Sequence, residues 1–374
     1  MRKTIGMLLA ILMLLALTAC GGAAGGDAKT PDAPAGSESQ AQAESPADEA
    51  GEEESAEAPA EESPSEEIPA VEAPAEKTDI NVFVLTGPTG IGAVNLWNRA
   101  EQGDGQENYH FSAVAAPTEI VSKISAGEAD IAAVSTNRAS TLYHKTGGGV
   151  VVLAVNTLGV LNVLDNTGAE IHSMADLKGR HIVTTGQGAN PEYIINYLLR
   201  ENGIDPEKDV SIEFKADGSE LAAVWATDPE AAIIAPQPVA TAIKGKYEGS
   251  ALALSLTDEW EKVSPDSELM MGCMIVRRAF LEEHGEAVAH FLSDYEASVN
   301  AAKADPETTG ALCEQYGIVA QAKMAQAAIP NCNLCYLTGD AMRSGLTGYL
   351  QVLLEADPAS VGGSLPDDGF WYAP

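Results

Sequence analysis

The stretch Glu119-Ile120-Val121-Ser122-Lys123-Ile124-Ser125-Ala126-Gly127-Glu128-Ala129-Asp130-Ile131-Ala132-Ala133-Val134-Ser135-Thr136-Asn137 carries the fold in miniature. It begins as an amphipathic helix, Gly127 suits a helix C-cap, and Asp130 to Val134 reads as a short buried strand. The polar Ser135, Thr136 and Asn137 follow the strand end. The same order returns 101 residues later, from Glu220 to Pro238, with no gap in the alignment. There Glu220 to Trp225 reads as helix, Asp228-Pro229-Glu230 breaks it, Ala231 to Ala235 is a short buried strand, and Pro236-Gln237-Pro238 ends it. Two α/β lobes are expected, each presenting a polar loop at the C-terminal end of a strand. In open α/β sheets that end is where ligands sit.

Other strand-to-helix loops fit the same plan. Asn81 to Leu85 is strand-like and runs into Thr86-Gly87-Pro88-Thr89-Gly90-Ile91-Gly92, with a helix starting near Ala93. His181 to Thr185 is a strand and Gly186-Gln187-Gly188-Ala189-Asn190 its loop; Asn190 suits an N-cap with Pro191 in the first helical position, and Gly203 ends that helix. Glycine-rich loops leading into helices expose backbone N–H groups and the positive end of the helix dipole. Neither loop ends in the Lys-Ser/Thr of a phosphate cradle, so nucleotide hydrolysis is not indicated.

The N-terminus sets the compartment. Arg2 and Lys3 precede the apolar run Met7 to Leu17, which is short of the roughly 20 residues a membrane span needs. A basic start, an apolar core and small residues before a cleavage point describe a secretory signal over 1–19. Leu17-Thr18-Ala19-Cys20 resembles the lipobox of bacterial lipoproteins, which implies lipidation of Cys20 and anchoring to the outer face of the cell membrane. From 21 to 77 the chain has no aromatic residue and carries 16 acids against two lysines. Such a segment buries too little apolar surface to order itself, so 20–77 is expected to be a disordered acidic tether, about 40 Å across as an ideal coil. With the signal and tether set aside, residues 78–374 keep a net charge of −22. That balance excludes nucleic acid as a partner, which requires basic patches.

Beyond the anchor, the chain resembles the substrate-binding lipoproteins of ABC importers, in the group that carries nitrate, sulfonates, taurine and thiamine-pyrimidine precursors. The resemblance rests on Gly87-Pro88-Thr89-Gly90, Gly127-Glu128-Ala129-Asp130-Ile131-Ala132, Asp176-Leu177-Lys178-Gly179, Thr185-Gly186-Gln187-Gly188 and Pro236-Gln237-Pro238. It implies an α/β, two-lobed class II periplasmic-binding-protein-like fold with a hinge. Lobe one would be 79–165 plus 270–374 and lobe two 166–269, with crossings near 162–166 and 271–276. It further implies a monomer that closes on a small-molecule solute and delivers it to a permease with its ATPase. The ligand would meet Gly87, Pro88, Thr89, Ser135, Thr136 and Asn137 from lobe one, with Asn156 and Thr157 after the strand Val150 to Val155. From lobe two come Thr185, Gly186, Gln187, Gly188 and Gln237. The chain departs from the family pattern at Asp228-Pro229-Glu230-Ala231. Arg138 either pairs with an anionic ligand or points to solvent, as most arginines do.

Little in the sequence points to catalysis, a cofactor or a metal. None of the six His forms an i, i+4 metal pair or a triad, and no Gly-x-Ser-x-Gly elbow surrounds Ser135. Cys332-Asn333-Leu334-Cys335 lacks the second pair that zinc needs. Cys273, Cys313, Cys332 and Cys335 permit disulfides, Cys313 to Cys332 among them, or buried free thiols. An extracellular enzyme of the same fold and a sensory lipoprotein are the competing classes. With few cations in the expected loops and an acidic domain, a neutral, zwitterionic or heteroaromatic solute is favoured; sulfonates and taurine stay open. Helices from Ala279 to Asp357 and an aromatic end at Phe370-Trp371-Tyr372 are expected to pack on lobe one.

Overall fold

The computed structural model describes residues 76–166 and 170–373. The signal, the lipidation expected at Cys20 and nearly all of the acidic tether lie outside the described residues.

The chain enters lobe one with β1 (Asp79–Leu85), where Ile80, Val82 and Val84 are fully buried in period-two alternation. It continues through α1 (Pro88–Ile91), α2 (Val94–Glu101), β2 (Asn108–Val114), α3 (Pro117–Ala126), β3 (Ile131–Ser135), α4 (Thr136–Lys145) and β4 (Val150–Thr157). Gly127 stops α3 in the left-handed conformation that its missing Cβ permits. Every residue of β4 is buried, as an inner strand covered on both faces requires.

Residues 158–160 carry the chain to a second sheet. Lobe two contains β5 (Leu161–Asp165), β6 (His181–Thr185), α5 (Asn190–Glu201), β7 (Ser211–Lys215), β8 (Ala232–Pro236), α6 (Val239–Lys246), β9 (Ala251–Ser255) and α7 (Leu256–Val263). Residues 264–271 lead back to β10 (Gly272–Arg277). There follow α8 (Arg278–Glu283), α9 (Gly285–Ala304), α10 (Pro306–Gln315), α11 (Ala322–Ala328), β11 (Leu334–Leu337) and α12 (Gly339–Ala356).

The two sheets repeat one plan. The first runs β2-β1-β3-β10-β4-β11 and the second β7-β6-β8-β5-β9. β1 lies parallel between β2 and β3, and β6 parallel between β7 and β8. The fourth strand of each sheet, β10 or β5, runs antiparallel and is the strand that has just crossed from the other lobe. The strands of the repeated segment, β3 and β8, hold the same third place. The expected helix at Glu220 to Trp225 is a 3-10 helix over Gly218–Ala226, capped by Asp217 and held by the Trp225 indole donating to Ala231 O at 2.9 Å.

The first crossing falls ahead of its expected position, while the second ends beside residue 270, where lobe one is expected to resume. β5 pairs with β8 and β9 in the second sheet, whereas the expected bounds of lobe one, 79–165, include it. A strand's partners are set by packing elsewhere in the chain, so its own composition does not assign it to a sheet. The return is complete by Met271, because Gly272 already pairs with Ser135 of β3 and Thr157 of β4.

The C-terminal helices tie the lobes together. α12 packs on β4 of lobe one and on α5 of lobe two. Between them Trp260 is fully buried, its ring 4.9 Å from Tyr197 and 5.5 Å from Tyr349. The aromatic end docks on lobe one: Phe370 is buried and Tyr372 N donates to Val152 O at 3.0 Å. No helix among the described residues is long and apolar enough to cross a membrane.

Candidate functional site

Parallel strands carry their following loops to one edge of a sheet. In lobe one that edge holds 86–89 after β1 and the start of α4 after β3; in lobe two it holds 185–188 after β6 and 236–238 after β8. The two edges face each other. Asn190 Nδ2, at the start of α5, donates to Met271 O at 2.9 Å and contacts Thr136 Oγ1 at 3.4 Å. Arg138 Nη2, on α4, donates to Gly188 O at 3.3 Å. The cleft between the lobes is thus closed in this structure.

Glycine serves the loops for backbone reasons. Gly87 has φ +90 and its N–H donates to Ile318 O at 2.9 Å; Gly186 has φ +84. Both lie in the left-handed region that side chains disfavour. Thr89 lies over the end of β4, where a Cβ on Gly272 would meet Thr89 Cγ2 at 2.5 Å and Asn156 Oδ1 at 2.6 Å.

The expected ligand residues divide into two groups. Several have side chains already engaged by protein. Asn156 lies inside β4, not after it, is 2% exposed, and donates to Thr89 O (3.2 Å) and Tyr295 OH (3.0 Å). Thr157 Oγ1 donates to Asn156 Oδ1 at 3.1 Å. Thr136 Oγ1 donates to Met270 O, while Asn137 Nδ2 reaches Ser360 O at 3.3 Å and its Oδ1 accepts from Ser135 Oγ. Gln237 Oε1 accepts from Thr241 N and Oγ1, and Gln237 N donates to Val160 O at 2.9 Å. Gly87, Pro88, Thr89, Thr185 and Gly186 are half-buried, and Gln187 and Gly188 are exposed. Those loop residues keep exposed surface, whereas the side chains of the first group are held by protein partners.

Sequence reasoning missed the residues that join the lobes. Asn190 was expected to cap its own helix, yet Ala189 holds the cap position and the Asn190 amide crosses to lobe one. Arg138 is half-buried and turned to Gly188 rather than free in solvent. Tyr193 lies nearby: burial, then Asp357 and Glu192, push its phenol up, against a smaller pull from Arg138. Trp97 is elsewhere, stacked at 4.4 Å on Tyr316 and at 5.4 Å on Phe111 beside β2.

Cys273, Cys313, Cys332 and Cys335 are free thiols in this structure. Burial pushes Cys313, Cys332 and Cys335 up to about 12, and Cys273 upward as well. The thiolate is the reactive form. At pH 8 these four thiols are therefore expected to react with an aromatic disulfide reagent roughly a hundredfold or more slowly than after unfolding. Rapid native labelling of Cys273, Cys313 or Cys332 would contradict their burial; Cys335 is half-buried. Among the described residues no group of three His, Cys, Asp or Glu is placed to hold a metal ion.

Two pseudo-repeated α/β lobes, joined by two crossing segments and closed over facing strand ends, define the two-lobed binding-protein class. The chain belongs to the family described as NMT1/THI5 like, whose model matches residues 111–309, more than half its length. Solved structures share the fold. An ABC transporter protein from Parabacteroides distasonis aligns with TM-score 0.66 and 21% identity, over 79% of this chain and 99% of that one. The periplasmic aliphatic sulphonate binding protein SsuA of Escherichia coli gives 0.65 and 13%, over 79% and 92%. The alkanesulfonate-binding protein SsuA of Xanthomonas axonopodis pv. citri, bound to MOPS, gives 0.58 and 13%, over 78% and 96%. No curated protein matches the chain.

Proposed function

We propose that this protein is an extracytoplasmic solute receptor of an ABC importer, anchored through a lipid on Cys20 and held off the membrane by its acidic tether. The observation that carries this reading is the closed pair of repeated lobes, with the strand ends of each sheet facing the other across two crossing segments. A fold with two crossings opens and shuts as a hinge, and a ligand that touches both lobes selects the shut form. The sulphonate-binding relatives support capture of a small polar solute. Gly87, Pro88, Thr89, Thr185, Gly186, Gln187 and Gly188 contact that solute, while Ser135, Thr136, Asn137, Asn156, Thr157 and Gln237 shape and stiffen the walls. The loops supply backbone N–H groups, hydroxyls and amides, which bind without transferring protons, so the protein acts as a carrier and not as an enzyme. It works as a monomer and passes its solute to a membrane permease driven by an ATPase.

A thermal-shift screen tests this. Pyrimidines, thiamine precursors, sulfonates, taurine, nitrate and amino acids are each added to protein that has been unfolded and refolded to strip bound solute. A true ligand at a hundredfold its Kd is expected to stabilise by about 2.7 kcal/mol. A flat response across the panel, with the protein refolded, counts against the receptor reading.

A further inference from the structure

We propose that Asn190 is a latch that holds the two lobes shut, so that closure does not depend on solute contacts alone. The proposal rests on the receptor reading for its purpose, but its geometry stands apart from it. Asn190 belongs to α5 of lobe two, is 1% exposed, and sends its amide Nδ2 to Met271 O at 2.9 Å. Met271 is the last residue of the returning crossing. Its carbonyl also accepts from Thr136 N at 3.2 Å, and its own N–H donates to Thr157 O at 3.0 Å. One buried carbonyl thus receives a donor from each lobe, beside the ends of β3 and β4. Within the same contact region Arg138 Nη2 reaches Gly188 O, which adds a second bond from lobe one to lobe two.

Asn190 Oδ1 and Arg138 Nε are both buried without a hydrogen-bond partner among the described residues. Buried polar atoms are nearly always paired, and an unpaired one weakens the state that buries it. The closed arrangement thus buries two polar atoms that its cross-lobe bonds leave unpaired among the described residues. A helix cap would explain neither the crossing amide nor the orphaned oxygen, because a capping carbonyl oxygen would be spent on its own helix.

Hydrogen exchange on the full chain without added solute tests the latch. Asn190→Leu and Asn190→Asp keep the side-chain size and remove the donor. In either variant, amides of 134–138 in lobe one, of 269–272 at the end of the returning crossing and of 188–190 and 192 in lobe two are expected to exchange roughly tenfold faster, as befits one lost buried hydrogen bond. Amides of β1 and β6 should keep their protection. Unchanged exchange at the lobe-one segments would overturn the proposal. So would faster exchange confined to α5, or a uniform rise through β1 and β6, since either would make Asn190 a support of its own lobe. Because no solute enters the experiment, the latch can fail while the thermal-shift screen succeeds, and the reverse.

Discussion

Replacing Asp294 by alanine is expected to lower the stability of the fold by about 3 kcal/mol, which for a domain of this size is a fall of roughly 6–12 °C in Tm. Asp294 lies on α9 and is 4% exposed. Its Oδ1 accepts from Arg99 Nη2 at 2.8 Å, and its Oδ2 accepts from Gln106 N and Tyr109 OH, both at 2.9 Å. One carboxylate therefore joins α2, the loop before β2, and β2 itself to the long helix behind the first sheet. Removing it strands the buried Tyr109 phenol without an acceptor and takes a partner from the Gln106 N–H and from the half-buried Arg99 guanidinium, which keeps Asp104 at 3.4 Å. Tyr109 reports the same contact: burial, then its hydrogen bond to Asp294, push its phenol far above the ordinary range.

The same residue fixes a pH dependence. Burial by itself would raise the Asp294 carboxyl, but hydrogen bonds from Gln106, Arg99 and Tyr109 outweigh it and hold the group below its ordinary value. A depressed folded-state pKa means that the unfolded chain binds the proton more tightly. The contribution is thus complete above the unfolded value, about 3.9, and is lost as pH falls through the folded value. Urea titrations of the parent and Asp294→Ala at pH 7 and near pH 3 check both claims. The gap should be wide at pH 7 and narrower in acid. A pH 7 difference below about 1 kcal/mol would show that water or repacking replaces the carboxylate.

How much of this was legible follows from the range of each interaction. The repeated helix-turn-strand of 119–137 and 220–238 declares itself because period, cap and polar stop are all local, and β3 and β8 take the matching third place in the two sheets. His181–Thr185 is a strand with the bounds expected from its apolar run and the glycine after it. The sheet that takes β5 is not legible, because Leu161 to Asp165 would suit either; its partners β8 and β9 lie dozens of residues away. Side chains behave in the same way. Asn137, Asn156 and Gln237 are expected to face a ligand because amides near strand ends can do so; the intramolecular partner that each also has is not revealed by composition. Asp294 was invisible for a simpler reason: it is one of 55 acids, and only the fold distinguishes a buried acceptor from a solvated charge.

Gly272→Val is the substitution expected to act most directly on the cleft. Gly272 opens β10, next to the point where the chain has returned from lobe two, and it is buried against the base of the first loop. A Cβ there would lie 2.5 Å from Thr89 Cγ2, 2.6 Å from Asn156 Oδ1 and 3.0 Å from Thr157 Cβ. Of these, Asn156 and Thr157 have little freedom to move aside. Asn156 is anchored to Thr89 O and Tyr295 OH, and Thr157 is bonded to Asn156 and paired in β4. The easier displacement is of the Gly87 to Thr89 loop, which the receptor reading places against the solute. Overpacking of this kind costs about 1–3 kcal/mol in stability. The expected result is a protein that still folds, with a lower Tm and at least about tenfold weaker affinity for the solute found by screening, since about 1.4 kcal/mol of misplaced contact is tenfold. Gly245→Ala is the control: Gly245 is exposed on α6, a Cβ there meets nothing within 4 Å, and alanine favours the helix. Calorimetric titration of both variants decides the matter. If Gly272→Val binds as tightly as Gly245→Ala, the first loop yields without consequence, and the solute must be held by lobe two and the far strand ends instead.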